Sequence, residues 1–209
     1  ARTSGQATDQ DGITLFLLDA NTEGITRRDF RMADGSRASE LTLDNVCVNP
    51  ERVLGEVGKG YAALDRGWAH SIVGLCAEAV GAMDRALWIT CDYIKTRKQF
   101  GQAIGNFQAL QHRMADMLIE LELSRSVLYR ALAHLDAGPE ARAHAVSIAK
   151  IQIGKSAKFV GGNAIQLHGG IGVTEEYAIG QYFKRLTFID NAFGTVQYHL
   201  KRVSESLTD

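Results

Sequence analysis

The sequence predicts a mainly α-helical protein in which a few strands precede an antiparallel helical bundle. Two patterns predict it. Short apolar or alternating runs occur between residues 13 and 48, and from Gly58 onward apolar residues recur at the three- and four-residue steps of amphipathic helices. Because the connections between the long helical stretches are short, neighbouring helices should run in opposite directions. We therefore predict the remainder of a β domain over residues 1–56 and a helical-bundle domain over residues 57–209.

The β region is predicted from three short segments. Residues 1–11 are polar and aperiodic, which is typical of a loop. Apolar or alternating runs at residues 13–18, 24–28 and 38–48 predict strands, and Asn49 and Pro50 should end the β region. Three strands cannot close a barrel, so we expect them to belong to a sheet whose other strands lie outside this sequence. The absence of an initiator Met and the early first strand suggest that the sequence enters a fold midway.

Five helices are predicted from the apolar period. The first carries a stripe from Leu64 to Leu87 and should end near Thr96. The second spans about 110–135 and is interrupted at Gly138, and the third spans about 146–164, with Pro139 in its first turn, where a missing N–H is harmless. Shorter helices are expected around residues 177–185 and 191–206.

Composition excludes several classes of partner. The net charge is −1 and the basic residues are scattered among acidic ones, so nucleic acid is not an expected partner. The most apolar run, residues 72–83, contains Glu78 and is too short for a membrane span, and no signal-peptide segment is seen, which favours the cytoplasm. The three cysteines, Cys47, Cys76 and Cys91, form no paired motif, so they are read as core thiols, and no metal site is predicted.

Residues 166–174, QLHGGIGVT, form the first motif that points to chemistry. Three glycines within four positions allow a backbone to approach a ligand and to turn N–H groups toward phosphate oxygens. The alternative is that Gly169 merely ends a helix in a left-handed conformation. A second motif, RKQFG at residues 97–101, lies about seventy residues upstream and makes the ligand-binding interpretation the stronger one.

These two motifs, with Phe107 and Gln108 between them, resemble the acyl-CoA dehydrogenase family, and the resemblance extends from residue 12 to about residue 203. It implies an FAD site formed largely across a subunit interface, with Arg97 on the pyrophosphate. The residues that match flavin-contacting positions are Arg97, Gln99, Phe100, Gln108, Gln166, His168, Gly169, Gly170, Thr195 and Gln197. Taken without the resemblance, Arg97 is a solvated cation, Phe100 a core residue, His168 a surface histidine and Thr195 a helix cap. The resemblance also implies that an N-terminal helical domain and the first part of the β domain are not in this sequence.

The positions that would carry the catalytic base depart from the family pattern. The resemblance implies a Glu immediately before Gly194, where this chain has Phe193, and some members carry the base at the position we align with Ser71. A phenyl ring accepts no proton, and a serine hydroxyl needs an activating partner. The family's substrate-facing Asp and Arg align with Ala69 and Ile72. Asp190 is the nearest carboxylate, although a helix N-terminal charge is its more ordinary role.

This pattern, with LCAEAVGAM at residues 75–83 and YFKRLTFID at residues 182–190, resembles the small subunits of heteromeric acyl-CoA dehydrogenases that act on pimeloyl-CoA or steroid side-chain thioesters. The resemblance implies fatty acid metabolism, an acyl-CoA substrate, electron-transfer flavoprotein as acceptor and a homo- or hetero-oligomer, dimeric or tetrameric. Three hypotheses stay open: a base-less subunit that completes the flavin site beside a catalytic partner, a homomeric dehydrogenase with a non-standard base, and a helical interaction module without flavin.

Overall fold

The computed structural model describes residues 1–207 and divides into two compact units. The first unit is Ala1–Trp68, and the second begins at Ala69. The boundary falls inside the longest helix, α1 (Tyr61–Thr96). The division that we predict after residue 56 therefore stays a prediction.

The first unit contains four strands that pair in twos. Strands β2 (Ile25–Arg31) and β3 (Arg37–Leu43) form an antiparallel hairpin, and β1 (Leu15–Phe16) pairs antiparallel with β4 (Val53–Leu54). The three predicted strands are present, but two expectations are wrong. The β region does not end at Pro50, because β4 follows it, and β1 finds its hydrogen-bonding partner within this sequence. The third strand also ends earlier than predicted, two residues before Asn45 takes a left-handed φ of 51°.

The second unit contains the rest of α1 and four further helices, so the prediction of a mainly helical chain is confirmed. Their bounds are α2 (Gln108–Ala133), α3 (Pro139–His168), α4 (Ala178–Asn191) and α5 (Val196–Glu205). Helix α1 ends at Thr96 and α3 begins at Pro139, as the sequence predicts. Helix α4 is longer than predicted and α5 begins later, because Phe193 and Gly194 have left-handed φ values of 55° and 99° and interrupt the helical path.

Side-chain contacts show that two pairs of packed helices run antiparallel. Between α2 and α3, Arg113 bonds to Asn163 and Glu120 bonds to Ser156. The later residue of α2 contacts the earlier residue of α3, so these two helices are antiparallel. From α1 to α4 the order is likewise reversed, because Glu78 bonds to Arg185 while Tyr93 contacts Tyr177. These contacts establish the antiparallel bundle.

Helix α3 occupies the centre of this bundle and packs against α2, α4 and α5. Its apolar stripe contributes Ala149, Ile153 and Val160, all at most 1% exposed, to a core shared with buried side chains such as Met83 and Met117. Burying side chains of the larger aliphatic and sulfur-containing types stabilises the fold by about 1.5–3 kcal/mol each. Within residues 1–207 no helix combines the length and the apolar character needed to cross a membrane.

Candidate functional site

The RKQFG motif forms a tight hairpin at the end of α1. Strands β5 (Lys98–Gln99) and β6 (Gln102–Ala103) pair antiparallel around a two-residue turn, and the backbone of Arg97 bonds to Tyr93 on one side and to Ile104 on the other. Both turn residues, Phe100 and Gly101, have left-handed φ values of 53° and 80°, as type I′ hairpin turns require. The motif thus folds into a rigid projection.

Phe100 stands at the tip of this hairpin. Its side chain is 90% exposed, and its only ring contact among the described residues is an edge-to-face contact with Phe107, at a centroid distance of 6.1 Å. The alternative that Phe100 is a core residue is therefore wrong. A non-glycine residue held in a left-handed conformation costs on the order of 1–3 kcal/mol, and such residues concentrate at binding sites. An exposed phenyl ring on a strained backbone indicates a surface built for contact.

The other polar residues of this region are also exposed. Arg97 has no ion-pair partner among residues 1–207, and Gln108 opens α2 with its side chain toward solvent. Gln99 is exposed too, but its amide donates to the Lys98 carbonyl at 2.8 Å. Arg97 and Gln108 are thus available to a ligand, whereas Gln99 must first release a local bond.

The glycine motif begins where α3 ends. Gly169 has a φ of 64°, and its N–H is directed at the carbonyls of Ile165 and Gln166, so it does end the helix, as the simpler alternative holds. A five-residue 3-10 turn, Gly169–Val173, follows. A methyl group added at Gly169 or Gly170 would meet no atom within 4 Å, so the backbone is open on this side. Gln166 is exposed one turn earlier in sequence.

His168 lies beneath this loop rather than on the surface. It is 3% exposed, its ring stacks on Tyr93 at 4.3 Å, and it tilts toward Tyr177 at 5.0 Å. Its Nδ1–H donates to the Ala164 carbonyl at 2.7 Å, while Nε2 is buried without a hydrogen-bond partner among the described residues. Burial lowers the pKa of His168. The histidine is therefore held neutral, as a support for the loop.

Tyr93 brings the two motifs together. Its hydroxyl donates to the backbone carbonyl of His168 at 3.3 Å, and its own carbonyl accepts from Arg97 N–H, one helical turn onward. The hairpin that carries Arg97 and the loop that carries Gly170 are thus anchored at the same tyrosine. Beside the hairpin, the C-terminal end of α1 and the N-terminal end of α2 enclose a cleft of about 360 Å³. Its lining includes Cys91, Lys95 and Gln111.

The terminal segment forms a second, separate arrangement. Thr195 caps α5, since its Oγ1 accepts from Tyr198 N–H at 3.4 Å, and Gln197 is exposed. Phe193 is 44% exposed in its left-handed conformation. This segment is held by the part of α3 around Lys150, which is eighteen residues before His168 and hence roughly 27 Å away along the helix axis. The structure therefore does not bring the terminal segment and the glycine loop together.

Lys150 is the residue that the sequence analysis misses. It is 1% exposed, and its Nζ donates to the carbonyls of Ile189, Asp190 and Gly194 at 2.9, 2.8 and 3.0 Å. Burial lowers the pKa of Lys150, and the nearby Asp190 carboxylate opposes that shift. A lysine at a position where the 3.6-residue period of α3 calls for an apolar side chain is the signal that would have revealed it.

His199 holds the same segment from α5. It is fully buried, and its Nε2 lies 3.1 Å from the Phe193 carbonyl while Nδ1 lies 3.2 Å from Ser147 Oγ. Because a carbonyl can only accept, we assign the proton to Nε2, and the serine hydroxyl then donates to Nδ1. Burial lowers the pKa of His199 to about 4.

Stability should fall in acid because of His199. Its folded-state pKa of about 4 is below the ordinary histidine pKa of 6.5, so the unfolded chain binds this proton first as the pH falls. Neutral His199 contributes roughly 3 kcal/mol to the free energy of unfolding above pH 6.5, and this contribution is lost as the pH falls toward 4. We expect His199→Gln to reduce the slope of unfolding free energy against pH in this window, measured by urea denaturation. The exposed His112→Gln is the control and should leave the slope unchanged; an unaltered slope in His199→Gln would contradict the assignment.

With this geometry established, comparison with known proteins identifies the family. A family model described as the acyl-CoA dehydrogenase C-terminal domain matches residues 58–208. The chain belongs to the acyl-CoA dehydrogenase family. It is 35% identical over 188 residues to the mitochondrial short/branched chain specific acyl-CoA dehydrogenase of Bos taurus, an alignment that covers 88% of this chain and 42% of the relative.

Solved structures share the fold of this chain. The glutaryl-coenzyme A dehydrogenase–glutaryl-CoA complex superposes with a TM-score of 0.91 at 26% identity, over 100% of this chain and 53% of that one. The ChsE4–ChsE5 complex from Mycobacterium tuberculosis gives 0.86 at 25% identity, over 95% and 53%. This chain spans about half the length of the relatives that it matches.

The two residues of α1 that align with the family's substrate-facing Asp and Arg are buried. Ala69 and Ile72 are 6% and 5% exposed and belong to the hydrophobic core. The inference that substrate contacts have been lost at these two positions stays a prediction. Ser71 lies on the exposed side of the same helix.

Asp190 is placed differently from the prediction. It lies in the last turn of α4, so the interpretation as a helix N-terminal charge is wrong. Its Oδ1 is buried without a hydrogen-bond partner among the described residues, and a methyl group at Gly154 would lie 2.5 Å from it. This oxygen therefore faces α3, and a catalytic role for Asp190 stays a weak prediction.

Proposed function

We propose that this chain contributes to the flavin site of an FAD-dependent acyl-CoA dehydrogenase and lacks the usual catalytic Glu. Family membership supports the class of protein, and the exposed, strained Phe100 hairpin is the observation that carries the flavin site. When bound, FAD supplies the acceptor for the hydride that leaves the β carbon of the acyl group. The alternatives remain a homomeric dehydrogenase with a non-standard base and a flavin-free helical module.

The exposed residues of the hairpin and loop fit such a cofactor. The planar guanidinium of Arg97 suits two phosphate oxygens and has no competing ion pair among residues 1–207. Phe100 offers an apolar surface, while Gln108, Gln166 and the open backbone at Gly170 offer polar contacts. Because His168 is buried, we propose that it acts through the position of Gly169 and Gly170 rather than by direct contact.

We propose that α-proton removal depends on a second subunit. Phe193 cannot accept a proton, and one carboxylate oxygen of Asp190, Oδ1, is buried against α3. A serine such as Ser71 is not a base at neutral pH without activation. A similar chain occurs in the ChsE4–ChsE5 complex, which supports a heteromer. A relative named as a subunit of the caffeyl-CoA reductase–Etf complex supports electron-transfer flavoprotein as the electron acceptor.

The distance between the glycine loop and the terminal segment supports an oligomer. The glycine loop and the terminal segment lie at points of α3 roughly 27 Å apart. We propose that they contact different flavins, or distant parts of one flavin, in a dimer or tetramer. An acyl-CoA thioester is the proposed substrate.

Arg97→Ala tests this proposal. We expect it to weaken FAD binding about ten- to a hundredfold, since a charge-assisted hydrogen bond contributes roughly 1.5–3 kcal/mol. Flavin absorbance after gel filtration, followed by titration of the apoprotein with FAD, gives the affinity. The measurement uses the whole protein that carries this chain, with and without its partner subunit.

Lys98→Ala is the matched control, because Lys98 is the neighbouring exposed cation in the same hairpin. It should retain the wild-type affinity. Equal FAD affinity in the Arg97 and Lys98 variants would show that Arg97 does not contact FAD. Absence of flavin from the wild-type protein, both alone and with a partner, would instead favour the helical module.

A further inference from the structure

Contacts from the hairpin (residues 97–103) and from the glycine loop (residues 169–173) meet at Tyr93, in the last turn of α1. The Tyr93 carbonyl accepts from Arg97 N–H at 2.8 Å, where the hairpin begins. The Tyr93 hydroxyl donates to the His168 carbonyl at 3.3 Å. His168 is the last residue of α3, so this carbonyl has no partner within its helix, and the loop begins directly after it. Tyr93 therefore joins the start of the hairpin to the start of the loop.

The aromatic contacts of Tyr93 strengthen this connection. Its ring stacks on the His168 ring with the centroids 4.3 Å apart, and it meets the Tyr177 ring edge-on at 6.2 Å. His168 is held from its own helix as well, because its Nδ1–H donates to the Ala164 carbonyl. The loop packs on this histidine, since a methyl group at Gly172 would lie 3.0 Å from His168 Cβ. Loss of the tyrosine ring would therefore remove a support of the loop.

No hydrogen bond or ring contact joins the hairpin directly to the glycine loop within residues 1–207. The two motifs also lie far apart in the sequence, so the chain itself does not hold them together. Their relative position therefore depends on Tyr93 and on the packing around it. A ligand that contacts both motifs binds more tightly when they are already arranged for it, because less order is imposed on binding.

We propose that Tyr93 is a positioning residue that holds the hairpin and the glycine loop in one arrangement, so that Arg97 and the backbone at Gly170 bind the diphosphate part of FAD together. The inference rests on the function proposed above, which assigns both motifs to the flavin site. It adds that the two motifs act as one unit. Tyr93 is half-buried and acts on the ligand only through the hairpin and the loop.

A double-mutant cycle on FAD affinity tests this coupling in the whole protein, with its partner subunit. We expect Tyr93→Leu to weaken FAD binding about tenfold, because the two motifs are no longer held in place for one ligand. Gly170→Ala is the second mutation. Its methyl group meets no protein atom within 4 Å, yet it obstructs a ligand that approaches the backbone. In the Gly170→Ala background, Tyr93→Leu should weaken FAD binding less than about threefold, since only a ligand held at both motifs gains from their arrangement.

Tyr182→Leu is the matched control. Tyr182 is another partly buried tyrosine packed against the same core, and it has no hydrogen bond or ring contact to either motif within residues 1–207. Its replacement should leave FAD affinity within about twofold of the wild type. Tyr93→Phe covers the case in which Tyr93→Leu does not fold. It removes only the hydroxyl, so FAD affinity should fall about threefold, and the Gly170→Ala background should abolish that effect.

The outcomes separate this inference from the function on which it rests. Equal factors for the Tyr93 variant in the wild-type and Gly170→Ala backgrounds would show a merely structural tyrosine and would overturn the inference. Unchanged FAD affinity in the Tyr93 variants, or in Gly170→Ala alone, would also overturn it. Wild-type protein that binds no FAD, both alone and with its partner, would instead overturn the proposed function.

Discussion

Flavin reduction by an acyl-CoA is expected to rise about 10²- to 10⁴-fold when Phe193 is replaced by Glu in the protein without its partner. The reaction removes a weakly acidic α proton, and a positioned general base contributes a factor of this size. Position 193 is 44% exposed, so a carboxylate there stays solvated and ionised. Bleaching of the flavin absorbance in a stopped-flow instrument, with the protein in excess, measures the rate.

Phe193→Gln is the matched control, since its amide has nearly the shape of Glu but accepts no proton. It should remain as slow as the wild type. The rise requires an intact substrate channel, because the resemblance implies that Ala69 and Ile72 replace a substrate-facing Asp and Arg. Co-expression with a Glu-bearing partner should restore the rate without mutation. Rapid flavin reduction by the unpartnered wild type would show that a base exists elsewhere and would contradict the heteromer.

Lys150→Met is expected to lower the free energy of unfolding by roughly 3–5 kcal/mol, because three backbone carbonyls lose the ammonium group that donates to them. The side chain is 1% exposed, so water does not replace the ammonium without opening the helix contacts. Methionine has nearly the same length and fills the volume, which separates the loss of hydrogen bonds from a loss of packing. Urea denaturation followed by circular dichroism gives the difference.

Lys155→Met provides the comparison for this stability measurement. It removes the same charge from the exposed side of α3 and should change stability by no more than about 0.5 kcal/mol. If the Lys150 and Lys155 variants unfold at the same urea concentration, the three carbonyl contacts contribute nothing net.

The helices of this protein follow from its sequence because their signals are local. Apolar residues at helical spacing predict α1 and α3, and Pro139 marks the start of α3 because its ring suits a first helical turn. The family, too, follows from local motifs, since RKQFG and QLHGGIG are runs of neighbouring residues. Arg97 and Gln108 are exposed, as both a ligand-binding role and an ordinary solvated position imply.

Other features required the tertiary structure. Phe100 reads as a core residue in sequence, and only the hairpin geometry places it at a strained, exposed tip. His168 reads as a surface residue, whereas in the structure it is buried beside the rings of Tyr93 and Tyr177. Strand β4 is too short to be recognised without its partner β1.

Lys150 shows most clearly why these features cannot be read from sequence. Its period within α3 marks it as a core position, but a buried ammonium is stable only if donors and acceptors match. The acceptors are three carbonyls 39 to 44 residues later in the chain. Sequence determined the helices and the motifs because neighbouring residues encode them; the tertiary structure decided burial, strain and hydrogen-bond partners because distant segments supply them.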